Sequence, residues 1–262
     1  MYTYASVNRA WPSKFLASYT APPLASPNTI GLATQFAVQN LTVQNRSGST
    51  AIVGWGGRLP ADPTLWKAGQ WTQVGTTYTD DTPDAQSAAS GDLALTTTTN
   101  NDGFVVLSQI PFNVLSIILS QATTGAPVYE VAYSAAGGAW TVLTLANLLV
   151  APNWTALGEQ LLWWETPGDW AVTVAGHATG IPTGYYAIRV RATTAPTQAA
   201  IASQLVPGVL ADSVKTVASD AVVTWSYASS ECLVAPQCNA LAIAISVASD
   251  QNHVACTYRL RG

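Results

Sequence analysis

The sequence runs to 262 residues with only 9% charged side chains and a net charge of −4, against roughly 25% charged residues in an average soluble domain. Three lysines (Lys14, Lys67, Lys215) and seven arginines are scattered, so the phosphate-neutralising patch of a nucleic-acid binder is missing, and no apolar run reaches the ~18 residues of a membrane span. A surface poor in Lys and Glu and rich in Ala, Thr, Ser, Gly and Val suits a protein packed against neighbours; a weakly charged extracellular β protein is the plainer alternative.

The chain opens "MYTYASVNRAWPSKF", without the charged-then-apolar layout of a signal peptide, and is expected to be made and folded in a cytoplasm. Residues 1–30 also hold "TAPPLASPNT". Proline fixes φ and removes a donor, which predicts an extended N-terminal arm rather than a sheet member. A disordered tail is the alternative, but such tails are aromatic-poor. Tyr2, Tyr4, Trp11 and Phe15 therefore read as interface residues of an arm lying on a neighbouring subunit.

Next, "TQFAVQNLTVQNRSGSTAIVGWGGRL" predicts two strands joined at "RSGS". Two strands cannot make a stable sheet alone. The C-terminal runs "DAVVTWSYAS", "NALAIAISVAS" and "HVACTYRLRG" would complete a discontinuous β domain from 31–69 plus 197–262. The middle, 70–196, then becomes an inserted β-sandwich or jelly roll.

Within that middle, "TYTDDTPDAQS" gathers Asp80, Asp81 and Asp84, which read as a solvated turn or as oxygen ligands for calcium. The spacing does not fit an EF-hand. "FNVLSIILS" is apolar on both faces and predicts a central, doubly covered strand. "PVYEVAYS" and "GYYAIRVRATT" alternate with period two. The clusters "TNNDG", "TTGAP", "AAGGA" and "TPGD" supply the φ angles of tight turns. In "LLWWETPGDWAVTV", Trp163 and Trp164 must point to opposite faces of a strand. The expectation is one tryptophan in the core and one, Trp164, facing an interface or a glycan, with Trp170 opening the next strand of an aromatic hairpin. "TQAAIASQLV" (197–206) reads as the one short helix.

Chemistry-bearing groups are sparse. His177, in "AGHATG", is the one plausible base for a nucleophile, and no GxSxG elbow accompanies it. Glu159, Glu165 and Asp169 lie close in sequence and could serve as paired carboxylates, yet the last two flank a turn. Cys232 and Cys238 bracket "LVAPQ", either closing a disulfide or holding two reduced thiols. Cys256 falls on the apolar side of an alternating strand, as an inert core thiol would. No catalytic residue, cofactor or metal site is expected.

The runs "TYTDDTPDAQS", "LALTTTTNNDGFVVLS", "FNVLSIILS", "PVYEVAYSAAGGAWTVL" and "GYYAIRVRATTAP" together resemble a family of tailed-bacteriophage virion structural proteins over roughly residues 76–196. "VYEVAYSAAGGAW" departs from it, with small residues where the family tends to carry an aromatic, Asn and Gly. The resemblance implies a non-enzymatic, β-rich particle component located in the virion and assembled in the host cytoplasm. A capsid decoration (cement) protein is the first expectation, and a receptor- or glycan-binding head-fibre, tail or baseplate protein the second. Its implied partners are the major capsid protein or other virion proteins and copies of itself in a symmetric homo-oligomer, with no nucleic acid or membrane.

Overall fold

The computed structural model describes residues 3–10, 15–20, 35–89, 91–210, 214–226, 232–233, 240–247 and 252–261. The protein is nearly all β and divides into two compact units, Met1–Pro60 with Gly208–Gly262, and Ala61–Pro207. The boundaries expected at 69/70 and 196/197 both fall inside the second unit, and the first of them would cut the strand Trp66–Thr72.

The first unit opens with β1 (Thr3–Ala10), β2 (Phe15–Thr20), β3 (Gln35–Gln44) and β4 (Ala51–Arg58). The second carries β5 (Trp66–Thr72), β6 (Thr77–Asp80), the short helix α1 (Thr82–Gln86), β7 (Leu93–Ala94), β8 (Gly103–Ser108), β9 (Val114–Gln121) and β10 (Val128–Ser134). It continues through β11 (Trp140–Val142), β12 (Leu148–Val150), β13 (Gly158–Trp164) and β14 (Tyr186–Thr194). Strand β15 (Ile201–Leu210) leads back into the first unit, which ends with β16 (Lys215–Val217), β17 (Val222–Ser226), β18 (Cys232–Leu233), β19 (Ala240–Ile245) and β20 (His253–Arg261).

In the first unit β20 lies between β1 and β3, and β17 and β18 also pair with β3. In a separate sheet β4 pairs with the end of β15, with β16 and with β19, and β19 pairs with β2. The expectation of an unpaired arm over residues 1–30 is therefore corrected. Residues 3–10 and 15–20 are sheet members, Tyr4 opposite Arg259 and Phe15 opposite Ala244. Sheet pairing needs free N–H groups, and neither "TYASVNRA" nor "FLASYT" contains a proline. The proline-rich stretch that prompted the arm lies outside the described residues. Asn45, at the end of β3, is fully buried; its amide donates to the carbonyls of Ser49, Val217 and Ala218, while its Oδ1 accepts from Ser47. One side chain thus ties the "RSGS" turn to β16.

In the second unit six strands run in the order β11-β10-β14-β8-β5-β6, and β12-β13-β9-β15 form a second layer with β7 on β15. Aromatic rings fill the space between. Phe104 and Tyr129 meet Trp154, Tyr133 and Tyr186 meet Trp170, and Phe112 and Trp164 pack on Trp170. The doubly apolar "FNVLSIILS" is β9, buried from Val114 to Ile117 and again at Leu119. Gly103 opens β8 where the chain meets β14, because any Cβ there would strike the Val190 carbonyl oxygen.

Two elements differ from expectation. Residues 201–206, expected in a helix, belong to β15, where Ile201 and Ala202 pair with Ala94 and Leu93; a partner edge outweighs the high helix propensity of Ala and Gln. The helix lies instead at Thr82–Gln86, inside the acidic turn. Asp80 Oδ1 accepts from both the backbone N–H and the hydroxyl of Thr82, and Pro83 stands in the first turn. Among the described residues no helix is long and apolar enough to cross a membrane.

Candidate functional site

The densest polar arrangement is built on the face of the six-stranded sheet that carries the odd-numbered residues of β14. Arg189 is 6% exposed. Its guanidinium sits 4.8 Å from the ring centres of both Trp71 and Trp140, a geometry in which each ring's negative face meets the cation. Glu130 on β10 closes the arrangement: Arg189 Nη2 donates to Oε1 at 3.0 Å, and Arg191 reaches Oε1 through Nε at 2.7 Å and Oε2 through Nη2 at 3.0 Å. Arg191 Nη1 also donates to Gln73.

The electrostatics follow from burial and pairing. Burial, together with the neighbouring Arg191 charge, brings the Arg189 guanidinium down to about 10, with Glu130 opposing the shift. Burial pushes the Glu130 carboxyl up, but the hydrogen bonds and charges of Arg191 and Arg189 outweigh it and hold the group below its ordinary value. Ala178, Ile181 and Tyr185 of the loop 174–185 belong to the same apolar cluster as Trp71 and Trp140. Trp140 Nε1 donates to the His177 carbonyl, and the imidazole stands edge-on to Trp140 at 5.2 Å. Chemically this is a fastening that locks β10, β14 and β5 to one another.

His177, the one histidine placed as a plausible base, is 1% exposed, and its Nδ1 accepts from the Val174 N–H. No hydroxyl or carboxylate is bonded to it among the described residues. Glu159, Glu165 and Asp169 are not brought together as a pair. Glu159 accepts from Ser116, Glu165 from Asn147 and Asp169 from the Tyr133 hydroxyl.

Asp80 and Asp81 precede α1, and Asp84 lies in its first turn. Burial, then the Asp84 charge, raises the Asp81 carboxyl, whose Oδ2 accepts from Gln70 at 3.5 Å. No cluster of three or more His, Cys, Asp or Glu suited to a metal occurs among the described residues. An open groove of about 530 Å³ borders this region, lined by Pro63, Lys67, Asp80, Thr82, Pro83 and Gln86. Its polar groups already engage one another or the backbone: Lys67 lies 3.7 Å from Asp80, and Gln86 donates to the Trp66 carbonyl.

Of the expected interface residues, Tyr4 and Phe15 stand in β1 and β2, and Tyr2 and Trp11 lie outside the described residues, as does Cys238. Cys232 begins β18, and Cys256 lies opposite Leu41 in β20. Trp164 is a correction. Trp163 and Trp164 are both 0% exposed, so neither faces an interface. Alternation does send the two rings to opposite faces of β13, but both faces are covered. Phe112 and Trp170 pack on Trp164 at 5.3 and 6.5 Å. Nor is there an aromatic hairpin: β13 pairs with β12 and β9, and Trp170 lies outside any strand, donating to Ser134 Oγ. Every tryptophan from Trp55 to Trp225 is buried except Trp140, which is half-buried. The Arg189 cluster was invisible to period-two reading, because its members come from four separate segments. The only sequence signal was arginine at alternate positions of an otherwise apolar strand. Comparison with protein-family models, curated proteins and solved structures finds no match to this chain.

Proposed function

We propose that the chain is a structural component of a tailed-phage particle, most specifically a capsid decoration protein that stabilises the shell through subunit contacts and performs no catalysis. The observation that carries this reading is where the aromatic and ionic groups lie. Tryptophans that could serve as a sugar platform are in the core, and the Glu130–Arg189–Arg191 cluster ties strands together. The surface of the second unit offers instead small hydroxyl and methyl side chains with protruding aliphatics such as Leu145 and Leu157, 84% and 65% exposed. Weakly hydrated surface of this kind favours burial against a neighbour over specific recognition of a polar ligand.

The test is immunogold labelling of particles from the phage that encodes this sequence, with antibody raised against the purified protein. Label spread over the capsid is the expected result. Label confined to fibres or tail tips, or soluble-glycan binding by the isolated protein, would replace the decoration reading with the receptor-binding one.

A further inference from the structure

We propose that β11 is a docking edge to which a second copy of this chain adds its own β11, antiparallel and across a two-fold axis. The inference stands on the sheet edge itself and does not depend on the virion reading.

Among the described residues β11 pairs only with β10, as the last strand of the six-stranded sheet. The parity of that ladder is fixed by Leu143 N donating to Val131 O and Ala135 N to Ala139 O. Residues 139, 141 and 143 therefore bond inward, which turns the N–H and C=O groups of Trp140 and Val142 outward. The opposite edge of the same sheet is closed differently. Tyr78 N donates to Thr179 O and Thr179 N to Thr76 O, and Asp80 ends the strand.

Natural edges are usually guarded by charge, proline, a bulge or extreme shortness. β11, three residues long, has only the last of these. From Val131 to Gly158 no residue is charged, and the turn before β11, Ala135–Ala139, holds only alanine and glycine, so no long side chain screens the edge. Val142 is 51% exposed, and Leu145 beyond it 84%. The chain then runs directly into β12, the terminal strand of the other layer, whose Leu148, Leu149 and Val150 are all half-exposed.

A second copy fits this edge by symmetry. A two-fold axis through Thr141 sets Trp140 opposite Val142 of the second copy, and each such pair exchanges two main-chain hydrogen bonds. Identical strands meeting this way must not carry like charge, and these carry none. A charged partner, by contrast, finds nothing on this edge to complement.

Sedimentation of the full chain across concentrations from about 1 to about 100 µM tests this, with Val142→Pro, which removes one outward donor, and Val142→Lys, which places like charges near the axis. The expected result is a reversible dimer that both variants weaken by at least about tenfold. Val74→Lys, on the exposed turn between β5 and β6 at the other end of the sheet order, leaves it intact. Trp140 and Val142 amides should also exchange more slowly in the dimer. Thermal melting of each variant verifies folding, and if the proline variant unfolds the lysine variant decides. A wild-type chain that stays monomeric, a dimer indifferent to Val142→Lys, or amide protection elsewhere but not at these two residues would overturn the proposal.

Discussion

Arg189 shows how one residue organises its surroundings. Removing a guanidinium from water is costly, and the cost is offset only while a carboxylate and two aromatic faces remain in place. Glu130→Gln should therefore destabilise the protein by roughly 2–3 kcal/mol, less than a fully buried pair because Glu130 keeps partial exposure, as read by denaturant unfolding at neutral pH. The Glu130 carboxyl is held below its unfolded value, so its contribution is complete above that value and fades as pH falls through the folded one. Wild-type stability should drop on the acid side of the ordinary glutamate range, and the Gln variant should lose that part of the pH dependence. Parallel pH profiles would refute this assignment. At Trp163 and Trp164 the expected loss on substitution by alanine is about 3–5 kcal/mol each. A mild effect at Trp164 would mean that its face of β13 is open after all.

At the scale of elements, the sequence displayed what is local. Period-two alternation in "GYYAIRVRATT" and the doubly apolar "FNVLSIILS" describe β14 and β9 correctly, because each pattern reports which faces of a strand are apolar. Alternation also separated Trp163 from Trp164 correctly. It could not show that both faces were covered, since the cover for Trp164 comes from Phe112 and Trp170, on other segments. The helix expected over residues 197–206 failed for the same reason. Nothing near Ile201 in sequence announces Leu93 and Ala94, yet the pairing of Ile201 with Ala94 and of Ala202 with Leu93 decides the local conformation. Gly103 gives a direct test of such a cross-strand constraint. Gly103→Ala should cost about 1–3 kcal/mol by forcing β8 away from β14, seen as a lower melting temperature. An unchanged melting curve would show that the strands can part freely.

For the whole molecule, the division into an inserted unit and a unit built from both ends predicts separable folding. Residues 61–207 contain the whole six-stranded sheet, strands β12, β13 and β9 with most of β15, and their own aromatic core, so this segment expressed alone should melt cooperatively with its tryptophans protected from quenchers. Conversely, deleting 253–261 removes the strand between β1 and β3 and should abolish the unfolding transition of the first unit while leaving that of the second. A single transition lost in its entirety would show that neither unit stands without the other.

The position of β20 also sets an order of events during synthesis. Tyr4 faces Arg259, and Leu41 faces Cys256, so β1 and β3 leave the ribosome long before the strand they pair with. The inserted unit has all of its partners in hand long before then and can mature while β1 and β3 are still without β20. Closing so long a loop is entropically slow, which leaves β3 an exposed edge for the whole interval. Slowing elongation would lengthen that exposure in proportion, and crowded ribosomes translating one message would bring several such edges together.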